Sequence, residues 1–203
     1  MRYKLLLASN NKAKVREYRD LLRALPFELV TSAEIGMTTM VNEVGESLEE
    51  NARLKATVSA AKSQLLALAD DSGLEVDALG GEPGRLSARY AGEKASDKDR
   101  IGYLLARLEV VPWERRSARF RCVIAVATPD GRVEFCSGEC LGIITFEPRG
   151  EQGFGYDPVF YLPELGKTMA ELPLEIKNQV SHRGQAARKV PHVLKRLGYD
   201  WTL

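Results

Sequence analysis

Two adjacent acids, Asp70 and Asp71, sit in the run Ala69-Asp70-Asp71-Ser72-Gly73-Leu74, directly behind the apolar residues 65–69. Carboxylates at the end of a buried strand lose hydration, and the loss has to be offset by a metal, a basic partner or a substrate. In extended backbone the two side chains point to opposite faces. One acid could then ligate a metal while its neighbour orients water or a structural group, and a base that takes a proton from metal-bound water would suit hydrolysis. The plainer reading is a solvated turn before Gly73. A second acid group, Glu43, Glu46, Glu49 and Glu50 with Asn51, lies upstream. Glu46 and Glu50 are four apart and would share a helix face. They would repel one another unless a positive group lay between, and magnesium takes carboxylate and water oxygens together with substrate phosphates. Acids at a helix N-terminus are also favoured by the macrodipole with no metal at all. Acids combined with bases at both ends of the chain point to a metal-assisted reaction on a polyanionic ligand.

Three other segments carry polar chemistry. In Ser9-Asn10-Asn11-Lys12-Ala13-Lys14 a polar turn opens a helix, whose free amides suit phosphate. Lys14 adds a point charge, and Ser9 and Asn11 add hydrogen bonds; an ordinary cap with solvated lysines explains the same residues. The segment lacks the glycines of a Walker loop. Gly153-Phe154-Gly155-Tyr156-Asp157-Pro158 joins flexible backbone to two aromatics and an acid. Phe154 can stack on a planar base, with Tyr156 or Asp157 fixing its orientation, or these aromatics simply cap a core. Ser181-His182-Arg183-Gly184 holds one of the two histidines. His182 and Arg183 can donate to ligand carbonyl oxygens, and Lys177 upstream can meet phosphate; a helix cap with surface bases is the alternative. A serine hydrolase is not supported, because no G-x-S-x-G elbow is present. His192, followed by Val193-Leu194, reads as a packing or surface residue.

Bulk properties narrow the field. The 203 residues are 44% hydrophobic, enough for a sizeable core in one large domain or two lobes. Lysine and arginine total 29 against 28 acids, for a net charge of +1, which gives no support to a nucleic-acid-binding face. Cys122, Cys136 and Cys140 form neither an even set nor a CxxC pair, which argues against a disulfide framework. The first apolar run is too short for a signal peptide, and no window approaches a membrane span. The expected location is the cytoplasm, without membrane or nucleic-acid partners.

The elements that must position these groups follow from periodicity. Residues 3–8 read as a buried strand and 12–25 as a helix stopped by Pro26. A short strand follows at 27–30, then an irregular stretch over 35–45. The longest helix is expected over 47–66, opened by a capping box at Ser47-Leu48-Glu49-Glu50. Residues 67–71 end a strand and 74–78 form a second extended piece. Gly80-Gly81-Glu82-Pro83-Gly84 is a loop, and 98–108 a helix. Residues 118–128 and 132–140 flank the hairpin signal Pro129-Asp130-Gly131, with 141–146 continuing the sheet and 147–157 a loop. The last helix spans 182–197, bent or divided by Pro191. The opening order is that of an α/β sheet, the later strands look antiparallel, and the expectation is a mixed sheet in two lobes with a cleft between them.

Together these motifs closely resemble the inosine triphosphate pyrophosphatase family, over nearly the whole chain. The resemblance rests on Ala8-Ser9-Asn10-Asn11-Lys12-Ala13-Lys14 with Glu17, Glu43-Val44-Gly45, Glu50-Asn51-Ala52 with Lys55-Ala56, and the Asp70-Asp71 run. It extends to Gly80-Gly81, Pro83-Gly84, Ser87-Ala88-Arg89-Tyr90, Phe154-Gly155-Tyr156-Asp157-Pro158 and Ser181-His182-Arg183-Gly184. Two departures stand out: Ser9-Asn10 replaces a common Thr-Gly, and Glu43-Val44-Gly45 replaces Glu-Thr-Gly. Neither removes an acid or base of the expected site.

The resemblance implies one ITPase-like domain over residues 1–203, with an elongated mixed sheet flanked by helices, two lobes and a central active-site cleft. It implies magnesium-dependent hydrolysis of non-canonical purine nucleoside triphosphates (ITP, dITP, XTP) to the monophosphate and pyrophosphate, a housecleaning role, and a homodimer. By the same resemblance Glu43, Asp70 and Asp71 are the catalytic and metal-binding acids, with Asp71 favoured for activating water. Ser9, Asn11, Lys14, Lys55 and Lys177 engage phosphates, and Ser72 adjoins them in the substrate site. Phe154 and Gly155 meet the purine, and Tyr156, Asp157, His182 and Arg183 shape the base pocket. Donors from His182 or Arg183 would suit a 6-keto group and be mismatched to adenine's amino group, at about 1–3 kcal/mol per unpaired donor. The rival readings are a pyrophosphatase for modified pyrimidine or methylated nucleotides and a non-catalytic nucleotide-binding protein.

Overall fold

Leucines at 5, 6 and 7 have no exposed surface, so the first strand must be covered on both faces. In the computed structural model this strand, β1 (Tyr3–Leu7), pairs in parallel with β2 (Phe27–Thr31) and with β3 (Leu66–Val76). The structure describes residues 3–37, 41 and 45–200. Among them the strand order is β2-β1-β3-β5-β6-β7-β8, with β4 (Pro83–Gly84) antiparallel to β3. The remaining strands are β5 (Ser117–Ala127), β6 (Val133–Ile144), β7 (Phe160–Leu162) and β8 (Lys167–Thr168). β7 is antiparallel to both β6 and β8. A mixed α/β sheet is therefore present, parallel at its start and antiparallel later.

The chain forms two compact units, and β3, β5 and β6 each contribute to both. The first comprises Met1–Asp71, Cys122–Gly138 and Arg183–Leu203. Its helices are α1 (Lys12–Leu21), α2 (Leu48–Ser63), α5 (His182–Ala187) from Arg183 onward, and α6 (Val190–Arg196). Alternation along β3 sorts them. Leu66 and Leu68 pack with Tyr18 of α1 and with Val190, Val193 and Leu194 of α6. Ala67 and Ala69 pack with Ala52, Ala56 and Ala60 of α2. The small alanines let the α2 backbone lie close to the sheet, so side chains of its early turns reach the strand.

The second unit comprises Ser72–Arg121 and Glu139–His182, with α3 (Asp97–Arg107) and α4 (Leu174–Val180). Its core joins Leu74, Val76, Ile101, Leu104, Phe120, Tyr156, Phe160 and Met169. Gly73 is required where β3 enters this unit, because a Cβ there would overlap the carbonyl of Gly84 in β4. The Leu74 amide next to it donates to Ser87 Oγ at 2.8 Å, and that hydroxyl donates to Gly84 O.

Several sequence expectations are corrected. The helix expected over 12–25 ends at Leu21, and Leu22 to Leu25 form turns instead. The one expected over 47–66 ends at Ser63, where Gln64 turns left-handed at φ 57° and frees Leu66 for the sheet. Most important, 67–71 and 74–78 are not two pieces. β3 is one eleven-residue strand, so the acid pair lies inside the strand rather than at its end. Pro191 does divide the last helical stretch into α5 and α6. Among the described residues no helix is long and apolar enough to cross a membrane.

Candidate active site

In the first unit, strand alternation puts the two acids in different company. Asp70 continues the Leu66/Leu68 face and is 2% exposed. Its Oδ2 lies 3.0 Å from Lys14 Nζ and 3.4 Å from both Nε and Nη2 of Arg183. Arg183 is 2% exposed, donates from Nη1 to Glu17 Oε2 at 2.7 Å, and lies over the Tyr18 ring. Burial pushes the Asp70 carboxyl up, but Lys14, Arg183 and Lys55 outweigh it and hold the group well below the usual carboxylate range. Burial would likewise favour loss of the Arg183 proton; Asp70 and Glu17 reverse that and keep it firmly charged. The Cys122 thiol, 3.9 Å from Asp70 Oδ2, is pushed up to about 12 by burial and by that carboxylate, so it is inert as a nucleophile.

Asp71 continues the Ala67/Ala69 face, toward α2. Its Oδ2 accepts from Asn51 Nδ2 at 3.0 Å, and its Oδ1 accepts from Lys55 Nζ at 3.1 Å. Lys55 also donates to the Asp70 carbonyl at 2.6 Å. Asn51 and Lys55 are four apart, one helical turn, so both reach the strand from one face of α2. Asn51 Oδ1 accepts the Gly45 amide, which ties the segment entering α2 to the same side chain.

Within the acid cluster one oxygen stands apart. Asp70 Oδ1 is buried and has no hydrogen-bond partner among the described residues. Orphaned buried carboxylate oxygens are rare in native proteins, and a metal ion is one of the few groups that satisfies one. Among the described residues no group of three His, Cys, Asp or Glu side chains is poised on a metal. Glu43, the third expected acid, lies outside the described residues.

Other expected residues have local roles in view. Asn11 caps α1, its Oδ1 accepting from the amides of Ala13 and Lys14, and Ser9 Oγ accepts from the Asn11 amide. Ser47 caps α2 by accepting the Glu50 amide, while the Glu50 carboxylate accepts the Glu46 amide at 2.7 Å. Glu46 precedes the helix, so the expected metal-bridging pair on one helix face does not form. Ser72 opens the second unit's part of β3.

The second unit assembles the aromatic and basic residues. Asp157 Oδ2 accepts the Phe154 amide at 2.8 Å and pairs with Lys177 Nζ at 2.5 Å, both partners of the ion pair being buried. The same ammonium lies 4.9 Å from the centroid of the half-buried Phe154 ring. Gly153 is required here: its φ is 76°, and a Cβ would collide with the Asp157 carboxylate. Tyr156 is buried and donates from its hydroxyl to Ser87 O. His182 is buried and stacks on Phe120, with centroids 4.7 Å apart.

Lys177 was expected among the phosphate contacts and here belongs with Asp157 and Phe154. Arg183 was expected beside the base and here grips Asp70 and Glu17. Glu17, Tyr18 and Asn51 complete the acid cluster without having been singled out as site residues. Spacing held the clue for two of them: Glu17 and Tyr18 lie three and four residues after Lys14, on the same side of α1.

A model of the Ham1 family matches residues 5–193. The chain belongs to the Ham1 family. Relatives of this Ham1 protein include the dITP/XTP pyrophosphatase of Desulforamulus reducens, 51% identical over 194 residues and 96% of each chain. That of Geobacter sulfurreducens is 53% identical over 183 residues, 90% of this chain and 92% of the relative. Among solved structures, a HAM1 protein from Coxiella burnetii is 42% identical with a TM-score of 0.86, covering 96% of this chain and 99% of that one. A nucleoside-triphosphatase / dITP/XTP pyrophosphatase from Mycobacterium abscessus is 41% identical with a TM-score of 0.74, covering 92% and 98%. The family agrees with the resemblance read from the motifs.

Proposed function

We propose that this Ham1 protein is a dITP/XTP pyrophosphatase that hydrolyses ITP, dITP and XTP between the α and β phosphates. The observation that carries the reading is the buried Asp70-Asp71 pair, ringed by Lys14, Lys55 and Arg183, in a chain half identical to dITP/XTP pyrophosphatases. Such a set binds a polyanion and stabilises charge that develops on it.

Asp70 and Asp71 would hold magnesium, a hard cation that takes carboxylate oxygens. The buried, unpartnered Asp70 Oδ1 fits that role. When bound, the metal supplies Lewis-acid polarisation of the phosphate oxygens. The chain's own residues do the rest. Lys14 and Lys55 neutralise phosphate oxygens, and Arg183, anchored by Glu17, fixes the Asp70 carboxylate. Asp71, oriented by Asn51 and Lys55, takes the proton of the attacking water. The new bond joins water oxygen to the α phosphorus, the bond from that phosphorus to the α–β bridging oxygen breaks, and pyrophosphate leaves. In the second unit Phe154 stacks on the purine, and Lys177, Asp157 and His182 read its edge. The reading extends to a cytoplasmic homodimer on the resemblance of the motifs alone.

The test is a panel of initial rates for ITP, dITP, XTP, GTP, ATP and dUTP at equal concentration, with magnesium and with EDTA. The expected result is metal-dependent turnover of the first three, with ATP slower by about tenfold or more for each buried donor left unpaired against its 6-amino group, and GTP, which keeps the 6-keto group, slower on account of its 2-amino group. Equal rates across the purines, or a preference for dUTP, would overturn the reading.

A further inference from the structure

The ring proposed to stack on the base sits on a loop with little stiffness of its own. Phe154 lies between Gly153 and Gly155, whose φ values are 76° and 63°. Backbone flanked by two such glycines has wide freedom, so the direction of the ring must be set by anchors. Three hydrogen bonds inside the second unit supply them, beside the Lys177 ammonium over the ring and the Asp157 amide on the Phe154 carbonyl. The Phe154 amide donates to Asp157, and the Tyr156 hydroxyl donates to Ser87 O at 2.9 Å. The third comes from a residue outside every motif considered so far: the Gly155 amide donates to Asp97 Oδ2 at 2.7 Å.

Asp97 is the first residue of α3. Acids at that position commonly serve their own helix, but here Ser96 and Asp99 already form the capping box. The Asp97 carboxylate is free to bind an amide 58 residues away. Its orientation is fixed in turn: Oδ1 pairs with Arg100, whose Nη1 donates to Ala88 O at 2.8 Å and Ala95 O at 2.7 Å. A carboxylate accepting a backbone amide is a charge-assisted bond, shorter and stronger than a neutral one.

We propose that Asp97 is a positioning residue for base recognition, holding the Gly155 amide so that the Phe154 ring is presented to the purine. The inference rests on the proposed pyrophosphatase function. Asp97 touches neither phosphate nor metal in this scheme, so its removal weakens capture of the base and leaves the chemical step intact.

The experiment compares wild type, Asp97→Ala, Asp97→Asn and Arg100→Gln with ITP, and measures inhibition by inorganic tripolyphosphate, which has no base. For Asp97→Ala, KM for ITP is expected to rise about tenfold, the value of one charge-assisted hydrogen bond, with kcat within about twofold. The tripolyphosphate inhibition constant stays unchanged, a result that general structural damage would not give. Asp97→Asn keeps one acceptor oxygen for the amide but loses the charge and sets its NH2 group against Arg100, so its KM falls between those of wild type and Asp97→Ala. Arg100→Gln releases the carboxylate without touching the capping box, and its smaller rise in KM carries the test if Asp97→Ala does not fold. An unchanged KM in the variants, or a parallel loss of tripolyphosphate inhibition, overturns the inference. Absence of ITP turnover by the wild type sinks the underlying function instead, so the two failures are distinct.

Discussion

Asp71→Asn is expected to lower kcat for ITP by about 10²–10⁴-fold, the range for loss of a general base. Asparagine has nearly the shape of aspartate and keeps one acceptor oxygen for either Asn51 or Lys55, the two donors that hold the carboxylate at 3.0 and 3.1 Å; its NH2 group faces the other donor, a local loss that the remaining contacts of the strand can bear. The fold and the phosphate contacts should therefore survive, and the dissociation constant for ITP, measured by calorimetry, should move little. A variant with kcat within a few-fold of wild type would show that water is activated elsewhere. Loss of binding along with turnover would mean that Asp71 serves the ligand rather than the proton.

The second large effect is on stability. Arg183→Met would leave the Glu17 and Asp70 carboxylates buried without the guanidinium that joins them. Breaking a buried ion pair from one side costs about 3–5 kcal/mol, because the surviving charge stays in a poor solvent. For a chain of this size that lowers Tm by roughly 10 °C. The effect has a pH signature. Asp70 is held below its ordinary value of 3.8, so its stabilising contribution is fully present above about pH 4 and is lost as pH falls toward the folded value. Protonated carboxyls no longer need Arg183, and the stability gap between wild type and variant should narrow below about pH 4. Thermal melts at pH 7 and pH 3 check both points. A drop of only one or two degrees at pH 7 would show that Lys14 alone is a sufficient partner for Asp70.

These two predictions also mark where sequence reasoning reached and where it stopped. That adjacent acids in extended backbone part to opposite faces was legible from strand geometry, and Asp70 and Asp71 do meet different partners. The division at Pro191 followed from the missing amide of proline. The strand carrying the acids was read too short, because Asp, Ser and Gly have low strand propensity and only tertiary contacts override it. Asp70 Oδ2 is met by Lys14 and Arg183, the latter 113 residues away, and Gly73 is demanded by the close approach of Gly84. No local pattern announces such partners. The two- and three-residue strands β7 and β8 are too short to show a period. Asp97 lies just before the helix expected over 98–108 and belongs to no motif, and only the Gly155 amide beside it distinguishes it.

The same distance from local pattern hid the partner of Lys177. A lysine near a candidate phosphate site reads naturally as a phosphate ligand. Its actual partner, Asp157, is twenty residues away on a loop held by Gly153, and the pair is buried. A buried ion pair under an aromatic ring is rigid, and rigidity is what the proposed discrimination between a keto and an amino group demands.

The most direct test of the central claim is the identity of the products. ITP incubated with the protein and magnesium, followed by phosphorus NMR and anion-exchange chromatography, should give inosine monophosphate and pyrophosphate in equal amounts, with no inosine diphosphate at any time. Inosine diphosphate with orthophosphate would place the cleavage between the β and γ phosphates and contradict the account.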